Sequence, residues 1–307
     1  MRKVIGANLM SLPIKFVLPG LLALAMVSVG CNQDRAIAVD HLNKGVQSYQ
    51  AGESMTAIKE LKLARDQDPT YAEPALFLGD IYYQRVNNLV EAEASYREAI
   101  KRDPENIDAY YKLGAVLFDK GDASQAVAAF QQVVQKDETH AKAWFRMGLS
   151  QAAIGSYPEA VESYMKSIRA NPRMKIDKDD PGGAAYHALG DLYARFSFYD
   201  KSLAVYENGI LNNQESSQLY AGRGMAEQSL KRPADAEKSL EKALEMDPQN
   251  VAATFNLAVA KHSLGQKDGA IKVLENFLNR ASDPARRQAA QGLLQSLRTT
   301  DSEVAQQ

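Results

Sequence analysis

Six glycines, Gly45, Gly79, Gly114, Gly148, Gly190 and Gly224, stand about 34 residues apart, each followed roughly twelve residues later by Ala57, Ala92, Ala126, Ala160, Ser202 or Ala236. A fixed period of this length marks stacked supersecondary units, each too small to bury its own apolar face. Stacking buries one face of every unit and leaves an extended face open. Such a chain is expected to be a binding surface first.

Numbered from place 1 to place 34, the units fall at 38–71, 72–106, 107–140, 141–174, 183–216, 217–250 and 251–284, the second one residue longer than the rest. The fourth is the clearest, with Trp144, Met147, Gly148 and Gln151 on a first helix, Ala160, Tyr164 and Ser167 on a second, and then Pro172. Places 4, 7, 8 and 11 lie within about 100° of one another on a helix, so they form the stripe that packs on the partner helix. Place 8 is small and place 24 large (Leu61, Tyr96, Phe130, Tyr164, Tyr206, Leu240, Leu274), so the two should interdigitate. Pro69, Pro104, Pro172 and Pro248 stop the second helices. These residues resemble the tetratricopeptide repeat, and the resemblance covers 38–284. It implies an all-α, right-handed superhelical solenoid of about seven helical hairpins. An amphipathic segment at 284–298, with Ala289, Leu293, Leu294 and Leu297, is expected to cap the last hairpin, and 299–307 reads as a disordered tail.

Residues 1–30 lie outside this pattern. Arg2, Lys3 and Lys15 precede an apolar run from Phe16 to Gly30 that contains Pro19 and Gly20 and is too short for a stable span, so it reads as a secretory signal. Cys31, the single cysteine of the chain, follows at once and cannot form an intramolecular disulfide. Leu21 through Gly30 into Cys31 resembles the lipobox of bacterial lipoproteins, in which that cysteine is lipidated and becomes the new amino terminus. Ser28 stands where that family favours Leu; the alternative is an ordinary cleavable signal with an incidental cysteine. The resemblance implies residence in the bacterial cell envelope, and Asn32 implies sorting to the outer membrane, facing the periplasm. Residues 31–37 would then tether the first repeat to the membrane.

Three departures from the pattern carry expectations. His41 and Lys44 occupy packing places of repeat one, as suits an end unit. Arg223 and Glu227 do so in repeat six, whose Gly222 and Gly224 each cost about 1 kcal/mol relative to Ala within a helix, so its first helix is expected to be the soft joint of the array. Eight extra residues, Lys175 to Gly182, follow repeat four. Asp177, Asp179, Asp180 and Gly182 are spaced like the start of a calcium loop, but the acidic residue required at its twelfth place is Ala188. No metal site is expected; the segment reads as a linker in which Asp180 caps the next helix and Pro181 opens it.

In the family resembled, first-helix places 2, 5, 6, 9, 12 and 13 line a concave groove. Here they present Asn43; Leu76, Phe77, Asp80 and Tyr83; Tyr111, Lys112, Phe118 and Asp119; Lys142, Phe145 and Arg146; His187, Asp191 and Arg195; and Phe255, Asn256 and His262. Aromatic and basic side chains in alternation suit an extended peptide, because rings bury its side chains while cations and amides hold its carbonyls and carboxylates. The candidate groove set is Asn43, Phe77, Asp80, Tyr83, Tyr111, Lys112, Phe145, Arg146, Arg195 and Asn256; the alternative is that the aromatics pack on adjacent repeats and the charges are solvated. The Lys and Asn pair with which some family members clamp a chaperone's terminal carboxylate is missing, Leu42 and Val46 standing there in repeat one.

A net charge of −2 gives no nucleic-acid polarity. None of G-x-x-x-x-G-K-[ST], H-E-x-x-H or C-x-x-C occurs, and the four histidines fall at four different repeat places. The chain is therefore expected to be no enzyme, to need no cofactor and to take no small-molecule substrate or nucleic acid. Its expected partners are a protein or extended peptide and, through the lipid, a membrane. The resemblance extends to tetratricopeptide lipoproteins such as pilotins and envelope adaptors, which implies a role in assembling an envelope complex such as pilus or secretion machinery. The alternative is a scaffold that self-associates without a peptide ligand.

Overall fold

The structure, a computed structural model, describes residues 19–177, 180 and 182–304, with side chains described for 33–177, 180 and 182–298. Residues 1–18 of the expected signal, the side chain of Cys31, Asp179, Pro181 and residues 305–307 lie outside them. Every regular element among the described residues is helical, and no helix among them is long and apolar enough to cross a membrane. The chain forms two compact units, divided between Ala109 and Tyr110.

The first unit holds α1 (Pro19–Gln50), α2 (Ser54–Gln67), α3 (Glu73–Ile81), which runs into a π-helical turn at Tyr82–Val86, α4 (Leu89–Arg102) and the start of α5 (Ile107–Asp119). The π turn is where the longer repeat absorbs its extra residue. The hairpin turns of the other repeats carry their left-handed residue at place 15, as in Gly52, Gly121, Gly155 and Gly265, whereas repeat two carries it one place later at Asn87, φ 54°. Widening one turn from i→i+4 to i→i+5 keeps α4 in register with the other second helices. Asn32 to Ile37, expected as a tether, is helical and continuous with the first repeat. Arg35 donates to Asp68 and Thr70, and Asp34 accepts from Gln67 at 2.8 Å, so these two side chains contact the end of α2.

The second unit continues with α6 (Ala123–Lys136), α7 (Ala141–Ala153), α8 (Tyr157–Ala170), α9 (Ala184–Arg195), α10 (Tyr199–Asn212), α11 (Ser217–Ser229), α12 (Pro233–Met246), α13 (Val251–Ser263), α14 (Lys267–Arg280) and α15 (Pro284–Val304). The cap helix is longer than its apolar pattern: α15 carries on through most of the segment read as a tail. Ala290, Leu294 and Leu297 on it bury against Leu274 and Phe277.

Small against large holds in each hairpin. A Cβ on Gly45 would lie 2.8 Å from Leu61, on Gly114 2.7 Å from Phe130, on Gly148 2.6 Å from Tyr164, on Gly190 2.5 Å from Tyr206 and on Gly224 2.6 Å from Leu240; one on Gly79 would overlap Tyr96. Repeat seven uses Ala258 beneath Leu274, both fully buried. Place 20 is equally closed, and Ser202, standing there where other repeats carry alanine, has a buried hydroxyl without a hydrogen-bond partner.

Asx turns end the second helices as much as proline does. The residue after the helix accepts from the backbone two residues on: Asp68 from Thr70, Asp103 from Glu105, Asp137 from Thr139, Asn171 from Arg173 and Asp247 from Gln249, at 2.8 to 3.0 Å. Asp137 does so with no proline beside it. At the other end of the loop, Asn106, His140 and Asn250 accept from the backbone three residues on and cap the first helices.

The end of repeat four and the segment after it are pinned to the stack. Met174 is buried, Ile176 packs on the same cluster, Asn213 donates to the Pro172 carbonyl at 3.0 Å and Lys142 to the Ile176 carbonyl at 2.9 Å. Asp180 does not cap α9 as expected; its carboxylate accepts from the Ile176 and Gly182 backbone N–H groups at 2.7 and 2.8 Å and closes the loop on itself. Gly183, at φ 92°, stands at the N-cap position of α9. Its left-handed backbone is compatible with glycine and strained for other residues.

In repeat six, the Tyr206 ring occupies the space a Cβ on Gly222 would need. Glu227 is fully buried, its two carboxylate oxygens held by the Arg223 guanidinium at 2.8 Å and the Ser239 hydroxyl at 2.7 Å. Both glycines therefore serve packing, and the charged pair is an internal one.

Candidate peptide-binding cleft

First helices α7, α9 and α11 of the second unit enclose an open cleft of about 400 Å³ on the face formed by places 2, 5, 6, 9, 12 and 13. Phe145, Leu149 and Ala152 come from α7, His187, Ala188, Asp191 and Arg195 from α9, and Gln218 from α11. The successive first helices are parallel neighbours in the stack, so equal places line up into one trough.

The floor is apolar and fixed. Phe145 is 8% exposed with its ring 6.1 Å from that of Tyr164, so it closes the bottom of the cleft without projecting into it. Asp191 is held from two sides, by His187 Nδ1 at 3.1 Å and by the Tyr206 hydroxyl, which donates to it. Burial first, and the Asp191 charge second, push the Tyr164 and Tyr206 hydroxyls well above the usual phenol range, so both stay neutral. Arg195 lies over the Tyr157 ring at 5.2 Å, and Tyr157 packs edge-on against Phe196 at 4.9 Å. An anchored carboxylate and an aromatic-backed guanidinium thus border an apolar floor. Such a combination is chemically suited to the donors and acceptors of a peptide backbone, with an apolar floor for its side chains.

Of the candidate residues, Phe145 and Arg195 meet in this cleft together with His187 and Asp191. Tyr111 and Arg146 pair with each other, Arg146 Nε donating to the Tyr111 hydroxyl at 3.1 Å, while the Tyr111 ring packs on His140 and Phe130 at 5.1 and 5.8 Å. Lys112 is half-buried on α5. Lys142 is engaged by the inserted loop. Asn256 turns its amide back on the Ala252 carbonyl at 2.8 Å and is not part of the cleft lining. Asn43, Phe77, Asp80 and Tyr83 belong to the first unit. There Asn43 is exposed, Phe77 and Tyr83 are half-buried, and Asp80 accepts from the Tyr96 hydroxyl at 2.8 Å. Sequence reasoning passed over Leu149, Ala152, Ala188 and Gln218. Their repeat places, 9, 12, 6 and 2, would have found them had small and aliphatic residues been weighed beside rings and charges. Among the described residues no group of three or more His, Cys, Asp or Glu side chains could hold a metal ion.

The tetratricopeptide repeat family matches residues 111–174 and 229–294, and the TPR repeat matches 79–121. Together the matches cover more than half of the chain, which belongs to the tetratricopeptide-repeat proteins. RNA polymerase II-associated protein 3 of Mus musculus is 31% identical over 118 residues, 37% of this chain but only 16% of that protein. Among solved structures, a tetratricopeptide repeat protein from Parabacteroides merdae aligns with TM-score 0.58 and 18% identity over 85% of this chain and 99% of its own. Pseudomonas aeruginosa pilF aligns with TM-score 0.55 and 16% identity over 73% of this chain and 96% of its own. Likenesses this distant establish the all-α repeat fold.

Proposed function

We propose that this chain is a non-catalytic adaptor that holds an extended segment of a protein partner in the cleft between α7, α9 and α11, anchored to a bacterial envelope membrane by a lipid on Cys31. The observation that carries the reading is the pairing of an apolar floor with a pre-positioned Asp191 and Arg195 on three successive first helices. Pre-positioning lowers the ordering cost of binding a flexible peptide. The lipid anchor rests on the sequence around Cys31, and Asn32 favours the outer membrane, facing the periplasm. Assembly of an envelope complex, such as pilus or secretion machinery, is the task such an anchored adaptor would serve.

Two experiments test the two halves. A photo-crosslinking residue in place of Gln218, at the cleft, should trap a protein partner in envelope membranes, and Leu149→Glu should abolish the adduct. A crosslinker in place of the exposed Met165 on α8 should not trap it. Equal trapping at both positions, or adducts that survive Leu149→Glu, would defeat the cleft. Labelled palmitate should enter the wild-type chain and not Cys31→Ser; no labelling of either defeats the anchor.

A further inference from the structure

Trp144 is the single tryptophan of the chain and stands at a packing place, yet it lines a second open groove of about 670 Å³. This groove is walled by second helices α6 and α8, with α7 as its floor, and shares no lining residue with the cleft described above. We propose that it is a separate binding site for a short extended peptide carrying an aliphatic side chain and, about three residues away, a lysine or arginine.

The floor supplies the aliphatic contact. Val134 and Met147 are 4% and 6% exposed and offer a fixed apolar base beside the Trp144 indole, whose Nε1 is locked by donation to the Glu138 carbonyl at 2.9 Å. On the α6 wall, Gln131 and Gln135 are exposed and one helical turn apart. Four residues of helix advance about 6 Å. Two residues of extended chain advance about 6.6 Å. The two side-chain amides therefore match the repeat of an extended backbone and can each pair with peptide groups two residues apart, which a helical ligand, with its backbone groups already bonded, would not need.

Charge sets the remaining requirement. Lys166 pairs with Glu162 at 2.7 Å and lies over the Trp144 ring at 4.4 Å, so these two charges offset one another. Glu138 and Arg169 also line the groove and carry opposite charges. Glu159, at the opposite end in the first turn of α8, makes no ion pair among the described residues and is the uncompensated charge of the groove. Seven residues of α8 separate Glu159 from Lys166 at the indole, a rise of about 10 Å. That is the length of about three extended residues.

The test uses the indole as reporter. The full chain in detergent is titrated with two blocked peptides, Lys-Ala-Ala-Leu-Ala and its reverse, and with analogues carrying Glu for Lys, while Trp144 emission is followed. At least one lysine peptide should shift the emission saturably and bind roughly tenfold more tightly than its Glu analogue. Glu159→Lys should reverse that preference, and Gln131→Ala with Gln135→Ala should weaken both kinds. Leu149→Glu, which disables the other cleft, should leave the titration unchanged, so the two sites fail independently. No saturable emission change with either lysine peptide, or a charge preference that survives Glu159→Lys, overturns the proposal.

Discussion

Gly114 and Phe130 offer the sharpest test of why the repeats keep a glycine at place 8. A methyl group on Gly114 would lie 2.7, 2.8 and 2.9 Å from three carbons of the Phe130 ring, which is fully buried between the two helices of its repeat. Overpacking of this kind costs about 1–3 kcal/mol. Exchanging glycine for alanine in a helix interior returns about 1 kcal/mol. Gly114→Ala should therefore destabilise by about 1 kcal/mol net, against the helix-propensity trend. Gly292→Ala on α15, where a Cβ would meet nothing within 4 Å, should gain the propensity term undiminished. Repeat seven already shows the remedy, since Ala258 sits beneath Leu274 there. Phe130→Leu alone should cost about 1 kcal/mol of packing. Gly114→Ala with Phe130→Leu together should cost clearly less than the sum of the two, with a coupling of about 1 kcal/mol. Because repeats open locally, the readout is amide exchange of α5 and α6 alongside thermal unfolding. Additivity within about 0.5 kcal/mol would refute steric pairing as the reason for the glycine period.

Three further outcomes follow from particular contacts. Ser202→Ala removes a buried hydroxyl with no partner and should stabilise the chain by about 1 kcal/mol or more; an unchanged or lowered melting temperature contradicts this. Arg223→Ala strips the guanidinium from a fully buried Glu227 and should cost about 3 kcal/mol. Arg232→Ala, which breaks only an exposed and solvent-screened pair with Asp235, should cost far less, so equal unfolding midpoints would be inconsistent with the burial argument. Burial raises the Asp68 carboxyl, but hydrogen bonds from Thr70 and Arg35 outweigh it and hold the group below the ordinary aspartate value. A depressed carboxylate stabilises above its unfolded pKa of about 3.9 and loses that contribution as pH falls through its lower folded value. Amide protection at the α1–α2 end, taken relative to the intrinsic exchange rate at each pH, should fall on acidification below about pH 4, less so in Asp68→Asn; identical acid profiles would remove Asp68 from the account.

The fold was legible because its determinants are local and repeated. The place 8 to place 24 pairing needs two residues at one spacing, and six glycines with six bulky partners supply it. What escaped the pattern was single-copy. The extra residue of repeat two could be counted but not located, because a π turn at Tyr82–Val86 and a longer hairpin loop accommodate the same insertion equally well on paper. Asp180 looked like a cap because it precedes a proline and a helix; only the closed loop shows its carboxylate bound to Ile176 and Gly182.

The site was half-legible for a different reason. Helical phase places Phe145, His187, Asp191 and Arg195 on one face, but phase cannot say how deep a side chain lies. Phe145 became floor, Arg146 was captured by Tyr111, and Lys142 by a loop that belongs to no repeat. Trp144 shows the converse, since its place predicts a packed core residue and the surrounding second helices leave it lining a groove. A repeat pattern thus fixes which way each side chain points, while the residues that differ between repeats decide whether the space in front of it is filled. Binding sites in such a chain should accordingly be sought where neighbouring repeats break their own pattern, and repeats four and five, separated by the inserted loop, are where this chain does so most.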